Sequence, residues 1–131
     1  MARATEHQTK AEDNRQFLDS FDAQVHACWA AVVAFYTAVH LIEQLRALDG
    51  QHSADHQDRL GHVQSSHRSI HDNFKQLFNA SLVARYGSNS AFFAKFTNDE
   101  VKGILIDTHL VAIEQYVIKF IAEHPTAKKA K

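Results

Sequence analysis

The sequence predicts an all-α protein, and three observations carry that expectation. Ala, Leu, Gln, Glu and Lys fill long stretches, while the 131 residues hold a single proline, Pro125, and four glycines; proline and glycine are the residues that interrupt helices. Apolar side chains recur at three- and four-residue spacing along most of the chain. Gly50 and Gly87 stand where two of those periodic segments stop, as residues that end helices in a left-handed conformation do. The expected architecture is an antiparallel four-helix up-and-down bundle with an additional short polar helix. Residues 1–131 form one domain, long enough to bury roughly two-thirds of the surface that the unfolded chain exposes, with 1–8 and 125–131 flexible.

Taken in order, the first helix starts at Thr9 and shows one modest apolar face through Ala11, Phe17, Leu18 and Phe21. The second runs from about Asp22 to Asp49 and carries two apolar stripes. One follows Val25, Cys28/Trp29, Val32, Phe35/Tyr36, Val39 and Ile42/Glu43 to Arg46, and the other follows Val33, Leu41, Leu45 and Leu48. A helix apolar on two faces is buried on most sides, so this is the expected central helix. Ser53 is placed to cap a short polar helix through Ser65, exposed and mobile, with only Leu60 and Val63 as apolar anchors. The helical period returns from His67 through Ile70, Phe74, Leu77/Phe78, Leu82 and Tyr86. Residues 88–96, with Phe92, Phe93 and Phe96, read as a loop that tucks aromatic rings against the bundle. Thr97 and Glu100 form a capping box that opens a last helix ending before Pro125.

A formal charge of −1 with neutral histidines gives no global basic field of the kind that draws a protein to nucleic acid at long range. Ten histidines are the outlier, and they make the chain markedly more cationic as pH falls through their titration range. The single cysteine, Cys28, excludes an internal disulfide framework and fits a reducing compartment. The polar N-terminus, and the lack of any uninterrupted apolar run long enough for a bilayer, predict a cytoplasmic protein with no membrane partner.

The run Phe35-Tyr36-Thr37-Ala38-Val39-His40-Leu41-Ile42-Glu43-Gln44-Leu45-Arg46-Ala47-Leu48, followed by Gly50, His52 and His56, resembles the second helix and following turn of the HEPN family of small prokaryotic helical domains. Ala84-Arg85-Tyr86 stands where an Ala-Arg-Tyr triplet ends a later helix in that family. The resemblance covers about Trp29 to Tyr86. It implies an RNA- or nucleotide-directed protein, a homodimer, and a metal-independent endoribonuclease of a toxin–antitoxin, defence or stress system, with an antitoxin or a nucleotidyltransferase-like protein as partner. Many HEPN domains build their site from an arginine and a histidine separated by a short gap, and Arg46 and His52 meet that description here.

RNA cleavage by that route needs a base for the 2′-hydroxyl proton, an acid for the leaving oxygen and a cation beside the phosphate. His52 or His56 suits the base; Arg46, Arg59 or Arg85 suits the phosphate, and Tyr86 beside Arg85 can stack on a base. Arg46 and His52 are thus the expected catalytic pair, and His56, Arg59, Arg85 and Tyr86 the expected substrate contacts. The structural alternatives are an Arg46 that caps carbonyls at its helix end, and an Arg85-Tyr86 pair that closes its helix against Glu43. His40 is expected to hydrogen-bond Glu43 or Tyr36. The pairs His52/His56 and His67/His71 have the spacing of half a metal site, but no Asp or Glu pair stands at ligand spacing in the packed helices, so neither metal nor cofactor is expected. The competing function is a non-catalytic dimeric helical bundle that binds a partner protein or a small ligand.

Overall fold

The computed structural model describes residues 3–22, 26–86 and 101–124, the side chains of Tyr86 and Val101 excepted. They are all-α. Helix α1 spans Ala4–Asp19, α2 Ala27–Leu48, α3 His56–Ser66 and α4 His71–Tyr86, with a 3-10 turn at Arg68–Ile70 leading into α4. The last helix, α5, is wound with π-type turns over Val101–Leu110 and continues as regular α-helix over Val111–Glu123. Thr108 marks the wider winding by donating its hydroxyl to the carbonyl of Gly103, five residues back. The expected stop at Gly87, the aromatic loop at 88–96, the capping box of Thr97 and Glu100, Val25 and the tail from Pro125 lie outside the described residues.

Helix α2 is the axis of the molecule because its sequence lets neighbours come close on several sides. Ala30, Ala31, Ala34 and Ala38 are buried small residues, and Phe35 between them and Ile42 one turn beyond are completely buried. Helices α1, α4 and α5 all pack on α2, and Phe74, Leu77 and Phe78 of α4 with Leu110, Ile113 and Val117 of α5 close the core. Phe35 sits at its centre, with ring centroids 5.7 Å from Phe74 and 5.3 Å from Phe78. By length and composition α2 could cross a bilayer, so the sequence reading that no segment reaches that size is corrected. Packing on three sides is the reason its composition looks that way: most of this apolar surface, though not that of Trp29, is covered by protein.

The ends of α2 and α3 settle two further points. Gly50, at φ +72°, ends α2 as expected. The amide of Gln51 donates to the carbonyl of Arg46 and that of Gly50 to Ala47, the paired closure of a Schellman motif. Asp55, rather than Ser53, caps α3: its carboxylate accepts from the amide of Asp58, and the Asp58 carboxylate accepts in turn from the amide of Ala54. Nor is α3 simply exposed, because Arg59 and Val63 are buried. Helix α1 begins at Ala4, earlier than the expected Thr9, and Ala4 and His7 are buried against its neighbours.

The 3-10 turn is tied to α5 by His67, which is 5% exposed. Its Nδ1 lies 2.7 Å from the Tyr116 hydroxyl, and its ring meets those of Tyr116 and Phe120 edge to face. Burial, with the neighbouring His62 imidazole adding to it, lowers its pKa from 6.5 to about 4. The unfolded chain therefore binds this proton at higher pH than the folded one. The stability His67 contributes is complete above pH 6.5 and drains away as pH falls towards about 4, by up to about 3 kcal/mol at about 1.4 kcal/mol per unit. Urea midpoints measured across that window should fall as the solution is acidified, and fall less steeply in His67→Gln. An equal slope in the two proteins would contradict this account.

A candidate site around buried Glu43

Glu43 sits on the wall of α2 with only 3% of its surface exposed, among residues that are otherwise core. A carboxylate there must be satisfied by its own chain. The segment after the Schellman turn supplies what it needs. The Ser53 amide donates to Oε1 at 3.1 Å, the Ser53 hydroxyl donates to Oε2, and Arg59 of α3 donates its Nε to Oε2 at 2.9 Å. Nδ1 of His52 lies 3.6 Å from Oε1. Burial alone would raise the Glu43 pKa; the hydrogen bonds from the Ser53 hydroxyl and amide and from Arg59 outweigh it and hold the carboxyl below its ordinary value. Glu43 is thus an anion fixed inside the fold.

Two arms extend from this hub. On one side Arg59 donates Nη1 to Nδ1 of His56 at 2.7 Å. A guanidinium can only donate, so Nδ1 of His56 is the accepting nitrogen. The His56 ring packs among Phe35, Tyr36 and Phe78; burial, then the charges of Arg59 and Arg85, lower its pKa. Arg85 follows, 5.7 Å over the Tyr36 ring, donating to the Tyr36 hydroxyl and to the carbonyl of Ser81. On the other side stand His52, His7 of α1 and His40 of α2. His7 and His40 share a hydrogen bond of 3.0 Å between their Nδ1 atoms, and the His7 and His52 rings are 6.5 Å apart and nearly parallel. Burial lowers the pKa of His7, and burial together with the His7 imidazole takes that of His40 to about 4, so both are neutral at physiological pH.

The sequence-derived residues distribute over this network unevenly. Arg46 and His52 do not touch, but each meets one half of the same pair: Arg46 donates Nη1 to the Ser53 hydroxyl at 3.0 Å, while His52 faces Glu43. Arg46 also reaches Asp58 and Gln51, each at 3.3 Å; these side-chain contacts go beyond the expected capping of carbonyls. Arg59 is buried rather than presented to solvent, and His52 and His56 diverge to opposite arms instead of forming a pair. Arg85 pairs with Tyr36 and not with Glu43, and the Tyr86 side chain lies outside the described residues. His40 bonds His7 in place of the expected Glu43 or Tyr36.

Sequence reasoning passed over Glu43, Ser53 and His7 as site residues. Glu43 was legible as the acidic interruption of an apolar stripe, and Ser53 was misassigned as a cap. Among known protein families, curated proteins and solved structures, none matches the chain.

The arrangement makes Arg59 and Glu43 interdependent. Removing the carboxylate in Glu43→Ala strands a buried guanidinium and should cost about 3–5 kcal/mol in urea unfolding. Adding Arg59→Met to that variant should recover part of the loss, giving clear non-additivity in the double-mutant cycle. Strictly additive losses would mean that the pair does not organise this end of the fold.

Proposed function

We propose that the chain is a HEPN-like, RNA- or nucleotide-directed domain, and that the Glu43 hub is its working site. The observation that carries this reading is the attachment of Arg46 and His52 to the two members of one bonded pair, Ser53 and Glu43. His52 is half exposed, so a substrate hydroxyl can reach its ring, and the anionic Glu43 beside it orients the imidazole and offsets its charge when it takes a proton. In endoribonucleolytic cleavage His52 removes the 2′-hydroxyl proton, the 2′-oxygen bonds to phosphorus as the bond to the 5′-oxygen breaks, that oxygen takes its proton from solvent, and Arg46 offers its guanidinium to the phosphate as charge builds on it. His56, Arg59 and Arg85 form the polar arm beside it, Arg59 holding His56 and Glu43 in place. No metal takes part in this reaction.

The rest of the proposal follows the family resemblance. The long helices form an antiparallel four-helix bundle, the protein is a cytoplasmic homodimer without a membrane partner, and it serves a toxin–antitoxin, defence or stress system beside an antitoxin or nucleotidyltransferase-like protein. The exposure of Ile104 (50%) and Ile118 (70%) on α5 and of Trp29 (67%) on α2 supports a further protein surface against these helices. One observation favours the rival reading, a non-catalytic bundle that binds a partner or small ligand: Arg46 already has Ser53, Asp58 and Gln51 as partners and must give some of them up to hold a phosphate.

Labelled RNA incubated with the purified protein in EDTA separates the two. Cleavage should proceed in the chelator, and Arg46→Ala and His52→Ala should each reduce it by about 100-fold or more, the scale of a lost acid–base group. Intact RNA with the wild-type protein, or cleavage indifferent to both substitutions, would remove the nuclease reading.

A further inference from the structure

We infer that His7, Glu43 and His52 form a binding site for a divalent transition-metal ion, each side chain supplying one ligand atom. These atoms, drawn from α1, α2 and the turn between α2 and α3, all lie within 4.8 Å of one another. The inference goes beyond the nuclease reading and does not need it.

The strongest support is a nitrogen without a partner. His7 is 6% exposed, its Nδ1 is engaged by His40, and its Nε2 is buried with no hydrogen-bond partner. A buried polar atom left unsatisfied is costly, and native structures rarely tolerate one without a use. The assignment requires His7 to be the donor of that shared bond, the tautomer that leaves on Nε2 the lone pair a metal needs. The His40 contact is then the outer hydrogen bond that fixes the tautomer and orientation of a ligating imidazole.

The carboxylate is equally prepared. Oε2 of Glu43 is occupied by Arg59 and the Ser53 hydroxyl, whereas Oε1 accepts only the Ser53 amide and faces His52. Oε1 is thus the ligand oxygen, 3.6 Å from Nδ1 of His52. Tetrahedral ligands about 2.0–2.1 Å from zinc stand about 3.4 Å apart, so the Glu43–His52 edge is already close to size. The other edges lie within 4.8 Å, so up to about 1.4 Å of closure remains; His52 can adjust on its own edges, being 48% exposed in its side chain and lying outside any helix.

Two imidazoles and one carboxylate select zinc, cobalt or nickel over magnesium and calcium, which prefer all-oxygen shells. Three protein ligands with one of them open to solvent leave a position for water or an exogenous ligand, as in reactive rather than purely structural zinc centres. The Arg59 guanidinium beside Oε2 opposes a dication, and this places the expected affinity in the micromolar range rather than among the tight structural sites.

Protein stripped with chelator and titrated with Zn2+ by calorimetry should bind one ion per chain, and Co2+ should give the visible absorption of a low-coordinate nitrogen–oxygen site. His7→Ala and His52→Ala should each weaken Zn2+ binding by at least about 100-fold, and His40→Ala by about 10-fold through the outer hydrogen bond. His26→Ala and His71→Ala, which alter histidines elsewhere, should leave it unchanged, with circular dichroism confirming that every variant is folded. Because His52 is half exposed on a turn, its alanine variant tests the site even if His7→Ala unfolds. Zn2+ binding that survives His52→Ala, or no binding by wild type at micromolar metal, would overturn the assignment. Neither result bears on the RNA assay, which is run in chelator.

Discussion

The structure is organised around the cost of placing one ionised carboxylate in the wall of its central helix. Glu43 occupies a position whose neighbours along α2, Val39 and Ile42 among them, belong to the core. An anion there is tolerable only if its oxygens are saturated by donors. The donors come from the turn that begins at Gly50 and from α3, so the need of one side chain dictates the path of about fifteen residues. Once the Ser53 amide and hydroxyl are fixed on Glu43, His52 must lie beside Oε1. Once Arg59 is fixed on Oε2, the first turn of α3 is tethered to α2, while the body of that helix packs on α4. Removing the charge would free both segments.

The apolar part of the fold makes room for that arrangement. Alanines at 30, 31, 34 and 38 let the neighbouring helices approach α2 closely, and the volume they leave is filled by Phe35 from α2 itself and by Phe74 and Phe78 from α4. The same aromatic group is the floor on which His56 rests. Packing and polar chemistry are therefore continuous: His56 has a lowered pKa because it lies against the core, and it is held there by the guanidinium that also satisfies Glu43. On the far side α1 contributes through His7, whose burial against α2 makes the first helix part of the site rather than a cover over it.

What the sequence revealed was the apolar logic. The central position of α2 and the anchors Phe74, Leu77 and Phe78 of α4 follow from spacing, because hydrophobic burial is non-directional and leaves a period behind it, whereas Leu82, on the same expected stripe, is exposed; the stop at Gly50 follows from glycine's access to the left-handed region. The polar network was far less legible. Ser53 and Asp55 are both good capping residues, and the choice between them was decided by a carboxylate ten residues upstream of Ser53 that local patterns do not register. His7 is a polar residue on the buried stripe Ala4, His7, Ala11 and Leu18 of α1, too weakly apolar to mark it for burial; packing of α1 on α2 buries it, and there it bonds His40. Arg59 reads from the sequence as a substrate contact on an exposed helix, since only the fold shows that Glu43 lies opposite it.

The two roles assigned to His52 exclude one another at any instant. A general base needs the lone pair of a ring nitrogen free to accept a proton, and coordination through Nδ1, the nitrogen that faces Glu43, leaves the ring proton on Nε2 and no lone pair to offer. Metal binding would also pull Oε1 towards the ion and stiffen the turn that carries His52, on the side of Ser53 from which Arg46 is held. An occupied site would therefore withdraw the proposed base and hold Arg46, the proposed phosphate contact, in its pairings with Ser53 and Asp58. If both proposals hold, a transition metal would act against metal-independent RNA cleavage, because the carboxylate that would orient His52 for proton transfer is the one that would hold it for coordination.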